Sequence, residues 1–310
     1  MQLIFGSNIY FFHILSEGKK IAQYFPEYQR GNAMKRKTGK YLLLLLFLLL
    51  LLTLLQNFIQ QRSQASLLNT DTCFTDFFRQ QALPPALYAQ LNEKEYSDRE
   101  FADLLTATML NGNFFPEYIS RVNEAYLRFK PEAYSNLRRC YLAVWKDLET
   151  FPIPARNNRE IKEEIFYENT FGADRSYNGS RKHEGCDLFG KISRSGFYPV
   201  ISMTSGCIEN IGWLPLGGYR IGIRASHGGY FYYAHLESYE KNFYIGEKVE
   251  AGQILGFMGN TGYGEEGTCG KFPVHLHLGI YISLPEKKEL SVNPYYVLLA
   301  MEKKVKKYTY

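Results

Sequence analysis

The chain has 310 residues, 45% apolar and 22% charged, proportions of a folding protein with room for about two domains of ~150 residues. Wholesale disorder and a collagen-like fibre are excluded. The formal charge of +5 comes from residues 1–40, with seven Lys/Arg against two Asp/Glu; the other 270 residues hold 29 of each sign, which removes the electrostatic case for a nucleic-acid partner.

Residues 1–33 show no sustained period, whereas Met34-Lys35-Arg36-Lys37 reads as the opening of a signal anchor, so translation is expected to begin at Met34, inside a cytoplasmic leader 1–40. From Tyr41 to Leu55 twelve of fifteen residues are Leu, and the apolar run frays through Gln56 and Asn57 to Ile59. Nineteen helical residues, 41–59, reach about 28 Å, enough to cross a hydrocarbon core. Lys35, Arg36, Lys37 and Lys40 precede the run and no comparable cluster follows, so the positive side is expected in the cytoplasm and the rest of the chain outside it. A cleaved signal peptide is the alternative, with Ser63 and Ala65 as the nearest small residues; the length of the Leu run and Gln60-Gln61-Arg62 favour a single-pass anchor.

Residues 60–152 read as a helical extracytoplasmic region. Ser97 with Glu100 forms a possible capping box before Phe101, Leu104 and Leu105, and Gly112 is a stop. Pro131 suits a helix start, after which Leu137, Tyr141, Val144, Trp145 and Leu148 recur on one helical face, expected to pack within a helical unit. Phe151-Pro152-Ile153-Pro154 cannot continue a helix, which places a domain boundary there and a second domain at 153–310.

Beyond Pro154 short aromatic and β-branched segments alternate with glycines, as in Tyr219 to Ile223, Ser226 to Gly229, Tyr230 to Tyr233 and Gly246 to Gly262. This is the pattern of an antiparallel, hairpin-connected sheet, and the 16% aromatic content suits it. The five cysteines, Cys73, Cys140, Cys186, Cys207 and Cys269, show no CxxC spacing and are expected to be small buried residues, not a disulfide framework.

His183-Glu184-Gly185-Cys186-Asp187 puts a histidine and a carboxylate four apart, and His275-Leu276-His277 puts two histidines two apart. In extended strands each pair shares a face, and Leu276 and Leu278 take the opposite, apolar one. Two imidazoles and a carboxylate from non-adjacent strands would suit Zn²⁺ with a position left for water. A helical zinc motif with Asp187 as its last ligand and Glu184 as base competes, but Gly185 and Gly190 argue against a helix there.

Taken in order, Phe171-Gly172 with Arg175, His183 with Gly185 and Asp187, Tyr233 to Leu236, Gly246 to Gln253, Gly259 to Gly262 and His275 to His277 resemble the motifs of lysostaphin/LytM-type zinc metalloendopeptidases. The resemblance covers roughly residues 155–300 and not residues 1–150. It implies a mainly β fold of the duplicated-hybrid-motif kind with an open groove, and hydrolysis of peptide bonds in peptidoglycan. It also implies that His183, Asp187 and His277 ligate Zn²⁺ and that His235 and His275 are the two catalytic, non-ligand histidines, while His227 is a turn residue. Two features depart from the family pattern: a longer segment between Gly262 and His275 carrying Glu265, Glu266 and Cys269, and Pro273-Val274 before the last motif. Cys186 is expected to face inward. Ligand imidazoles must be neutral to bind metal, so activity is expected to fall below about pH 6, where histidine with a reference pKa near 6.5 protonates. The competing reading is a non-catalytic cell-wall-binding or scaffold protein on the same fold, which a chain retaining all its ligands disfavours. A biotinyl or lipoyl carrier, suggested by Gly246 to Gly256, lacks a suitably framed lysine.

Overall fold

The computed structural model describes residues 26–66, 68–112, 114, 119–120, 124–176, 179–284 and 289–310; most of the expected leader, with His13, lies outside them. Contacts divide the chain into Met1–Gln64 and Ala65–Tyr310. In the first unit a 41-residue helix runs Pro26–Ser66, and its stretch Lys37–Ser63 is long and apolar enough to cross a membrane. Its leucines, Leu42 to Leu55, are all solvent-facing, as a lipid-facing helix requires.

In the second unit the expected helix signals operate. Ser97 caps the helix Asp98–Asn111 in a reciprocal box with Glu100, and Gly112 ends it in the left-handed conformation. Pro131 opens the helix Pro131–Trp145, whose stripe of Leu137, Tyr141, Val144 and Trp145 is buried. These helices do not form a core of their own: Tyr141, Val144 and Trp145 belong to one cluster with Leu278, Ile280 and Phe231 of the sheet. Polar ties reinforce it, with Arg79 donating to the backbone and side chain of Ser291 and Trp145 Nε1 donating to Gln81 Oε1 at 2.7 Å. Phe151 to Pro154 thus marks a change of secondary structure inside one compact unit.

The strands in chain order are β1 (Ala155–Arg156), β2 (Ile165–Tyr167), β3 (Asp174–Arg175), β4 (Arg181–Lys182), β5 (Cys186–Gly190), β6 (Pro199–Ile201) and β7 (Gly206–Leu214). They continue with β8 (Gly218–Ala225), β9 (Tyr230–Tyr239), β10 (Lys248–Val249), β11 (Ile254–Met258), β12 (Leu276–Ile282), β13 (Leu290–Val292) and β14 (Lys307–Tyr308). Ten form one sheet, ordered β10-β7-β8-β9-β12-β5-β2, with β11 pairing β6 and β9, and β13 pairing β12, all antiparallel. Alternation decides its two faces. Leu276, Leu278, Ile280, Phe231, Tyr233, Cys186 and Leu188 are buried in the core, while His277, Tyr281, Tyr230, Tyr232, Asp187 and Phe189 line a groove. Cys186 therefore faces inward, opposite Asp187, as expected.

No disulfide joins the five cysteines. Cys73, Cys140 and Cys186 are buried, but Cys207 and Cys269 are exposed, correcting the expectation that all are core residues. Cys207 alternates outward on β7, and Cys269 lies in the segment after Gly262, where nothing covers it.

His227 sits in the β8–β9 turn, as expected, and does more than turn the chain. Its Nδ1 lies 2.7 Å from Asp147 Oδ1 and its Nε2 3.0 Å from Asp98 Oδ2, while its backbone N–H donates to Asp147 Oδ2. Partial burial alone would lower its pKa, but the hydrogen bonds to Asp147 and Asp98 outweigh burial and raise it. A raised folded-state pKa means that this stabilisation is full below the ordinary imidazole value near 6.5 and is lost as pH rises through the raised one. The His227→Gln variant is expected to be less stable by about 1 kcal/mol at pH 5. The deficit should shrink above neutrality, and chemical denaturation of both proteins across that range measures it.

Candidate metal centre and groove

The side chains at issue converge around the pairing of β5 with β12. His277 on β12 is paired on one side with Asp187 of β5 and on the other with Ala234 of β9. His183 precedes β5 in the link from β4, so it does not share a strand with Asp187, as the four-residue spacing had suggested. A bend at Gly185 breaks the strand and turns the His183 ring back towards Asp187. A Cβ at position 185 would lie 2.5 Å from both His277 Cε1 and the Leu278 carbonyl oxygen, so the close approach of the link to β12 admits only glycine.

His183 Nε2, Asp187 Oδ1 and His277 Nδ1 form a triangle with edges of 3.1 Å (His183–Asp187), 3.1 Å (His183–His277) and 2.9 Å (His277–Asp187). The remaining polar atoms of two of these residues are engaged outside it. Asp187 Oδ2 accepts from Arg175 Nη2 at 2.6 Å, and His183 Nδ1 lies 3.1 Å from the Thr170 carbonyl oxygen. The Thr170 hydroxyl lies at the same 3.1 Å from Nδ1, so both of its contacts hold the ring with Nε2 turned into the triangle, and the carbonyl favours the tautomer with the proton on Nδ1. Three lone-pair atoms so placed suit a divalent cation. A four-coordinate ion with bonds of ~2.0–2.1 Å has ligand–ligand edges of roughly 3.3 Å, close to those observed. The pairing of Asp187 and His183 with outer hydrogen-bond partners is what metal sites use to fix ligand orientation.

Burial would raise the pKa of Asp187, but the hydrogen bonds of His183 and His277 and the fields of His277 and His275 hold its carboxyl well below the usual carboxylate range. Burial lowers His277. The site is thus built to present an ionised carboxylate and a neutral imidazole, the forms that ligate.

His275 and His235 flank the triangle. His275 lies just before β12, bridged to Gly259, with Nε2 3.7 Å from Asp187 Oδ1. Its Nδ1 is 2.8 Å from the Pro273 carbonyl oxygen, and Nδ1 of His235 is 2.8 Å from that of Thr261. Both therefore carry the proton on Nδ1 and keep the Nε2 lone pair free to accept one. Burial lowers the pKa of each, of His235 well below the ordinary value, where His275 and His277 add to it. His235 has φ +61°, a conformation costly for a residue with a Cβ, and its ring is boxed by His275 at 4.8 Å and Phe272 at 4.5 Å between centroids.

All five histidine and aspartate positions singled out from the sequence thus line one groove of about 710 Å³, together with Arg175, Arg220, Tyr232 and Tyr281. The segment between Gly262 and His275 contributes Tyr263, Phe272 and Pro273 to its wall; Glu265, Glu266 and Cys269 are not among the lining residues. Sequence reasoning did not assign roles to Arg175 or Thr170. Arg175 belongs to a motif that was noticed, whereas the backbone acceptors of Thr170, Thr261 and Pro273 carry no side-chain signature.

Gly185→Ala is expected to weaken binding of Zn²⁺ or Co²⁺ at least tenfold while far-ultraviolet circular dichroism stays unchanged, because the clash falls on His277. Metal titration followed by Co²⁺ absorption tests this.

Comparison with known proteins agrees with the geometry. Residues 181–294 match Peptidase family M23. An L-Ala–D-Glu endopeptidase of Bacillus subtilis (strain 168) is 41% identical over 153 residues, 49% of this chain and 44% of that protein. Lysostaphin of Staphylococcus staphylolyticus is 40% identical over 83 residues, 26% of this chain and 16% of that protein. The chain spans less than half the length of these curated relatives. A crystal structure of a candidate glycyl-glycine endopeptidase lytM from Ruminococcus gnavus ATCC 29149 superposes with a TM-score of 0.64 at 39% identity, over 76% of this chain and 94% of that one. That is more than residues 151–310 can supply, so the likeness extends into the helical region, contrary to the expectation that it stops at residue 150. The match of residues 181–294 to the family, with the 94% coverage of that structure at 39% identity, establishes that this chain belongs to peptidase family M23.

Proposed function

We propose that the protein is a zinc-dependent endopeptidase that cleaves peptide bonds of peptidoglycan outside the cytoplasmic membrane. The observation that carries this is the convergence of three lone-pair donors, His183, Asp187 and His277, beside two neutral histidines with free Nε2 atoms in one groove. The chemistry of the donor set, two imidazoles and one carboxylate, is that of a catalytic zinc site, with residues 153–310 carrying it and 60–152 supporting the sheet from behind. Zinc bound there would polarise the scissile carbonyl and lower the pKa of water.

The chain's own residues do the rest. With Nδ1 protons tied to backbone carbonyls, His235 and His275 begin as bases. Either ring, once protonated at Nε2, can donate to the developing oxyanion or hand the proton to the leaving amine, so a shared role follows from their adjacency. The groove would hold an extended peptide across β12, β9 and β8. Of the relatives compared, one is named for an L-Ala–D-Glu bond and another for a glycyl-glycine bond, so stem peptide and cross-bridge are both substrates to test. The helix Lys37–Ser63 would anchor the enzyme, with the basic residues before it in the cytoplasm.

Purified peptidoglycan should release new amino termini with the full chain in detergent, and a chelator or the His277→Ala change should lower that release at least ~100-fold. His235→Gln and His275→Gln should each reduce kcat by about 10²–10⁴ with metal content retained. Equal release in all samples would refute the proposal.

The pH dependence follows from the lowered histidines: a base with a lowered pKa stays neutral until the pH falls through that lower value. The acid limb of kcat/KM is therefore expected below the ordinary imidazole value of about 6.5. A limb centred above it would contradict the assignment.

A further inference from the structure

Four cationic side chains line the groove, and three have partners. Arg175 holds Asp187, Arg181 Nη2 donates to the Tyr263 hydroxyl at 3.1 Å, and Lys182 pairs with Asp174 at 2.7 Å. Arg220 differs. Among the described residues its side chain makes no hydrogen bond or ion pair and its Nη1 is buried without a partner, whereas Arg181, whose Nε is likewise buried without one, is tied through Nη2. A buried guanidinium nitrogen left without an acceptor is costly, and the cost is removed when an anion arrives.

Its place in the sheet says which anion. Arg220 lies on β8 between the pairs Tyr219–Leu236 and Ile221–Tyr233, hence opposite Ala234 and His235 of β9. Ala234 pairs in turn with His277. Arg220 therefore ends the row Asp187, His277, Ala234, about two strand spacings, roughly 10 Å, from His277. The residue of the row between them, Ala234, carries only a buried methyl, and one groove is lined by both His277 and Arg220. Glu184 and Glu289 line the same groove, but neither forms an ion pair with Arg220.

We propose that Arg220 is a specificity-determining residue that receives the free carboxylate of an acidic residue adjoining the scissile amide. The inference rests on the peptidase reading of this groove and narrows it: the preferred substrate class is an acidic stem peptide, not an uncharged glycine cross-bridge. The planar fork of arginine accepts both carboxylate oxygens, and an extended peptide advances about 3.4 Å per residue, so a group within a residue of the cut falls between His277 and the guanidinium.

Three synthetic probes test this with the zinc-loaded full chain in detergent: an L-Ala–γ-D-Glu–L-Lys peptide with its free α-carboxylate, the same peptide as the α-carboxamide, and pentaglycine. The free acid should exceed the amide at least ~tenfold in kcat/KM, carried mainly by KM, and pentaglycine should be poorer still. Arg220→Met should bring the acid-to-amide ratio within about twofold of unity, and Arg220→Lys should leave it intermediate. Metal content and thermal unfolding of each variant report that the fold is kept.

A wild-type ratio near one, pentaglycine as the best substrate, or a ratio undiminished in Arg220→Met would overturn the role of Arg220. If neither these probes nor whole peptidoglycan is cut, the peptidase reading itself fails. Calorimetric binding of the two stem peptides to chelator-treated protein then decides Arg220 separately. Tenfold tighter binding of the acid, lost in Arg220→Met, supports it, and equal binding refutes it.

Discussion

One carboxylate organises the groove. Asp187 directs Oδ1 at His183 and His277 and Oδ2 at Arg175, so its two oxygens join the end of β3, the link before β5 and the start of β12. The Arg175 guanidinium beside it leaves one oxygen free and sets its direction. A buried, ionised carboxylate persists only when its lone pairs are satisfied in this way, and burial lowers the pKa of His275 and His277 beside it. Substituting any of the three partners leaves a desolvated charge, which is why the centre is expected to fail as a unit and not by degrees.

That centre needs a rigid floor, and the floor is made from behind. The apolar faces of β5, β9 and β12 share a single core with the helix Pro131–Trp145. Hydrogen bonds from Arg79 to Ser291, and the Asp98–His227–Asp147 clasp, fasten the helical region to the strands. Among the described residues no side chain of the helices lines the groove. Their contribution is positional, holding the strands whose alternate residues point into the groove.

Much of the site was legible because its chemistry is carried by side chains in short motifs: His183, Gly185 and Asp187, then His275 and His277, with glycines marking the turns. Alternation placed Leu276, Leu278 and Cys186 on the hidden face, and the caps at Ser97 and Gly112 and the proline at 131 behaved as their local chemistry dictates. Local spacing misled where the path of the chain mattered. His183 and Asp187 meet across a bend, not along a strand, and Cys207 and Cys269 stay exposed because cysteine carries no local preference strong enough to choose a side.

Amino-acid order alone determined the leucine helix, the strand-rich second half and the short His/Asp motifs from which a metal site is proposed, since each depends on composition or on neighbours within a few positions. Only the tertiary structure decided that the helical region and the sheet share one core, that Arg175 and the Thr170 carbonyl orient the ligands, that Nε2 of His235 and His275 faces the site as a lone pair, and that Arg220 stands unpaired in the groove. These are facts about pairing between strands distant in sequence and about backbone carbonyls, which every residue possesses and no motif records.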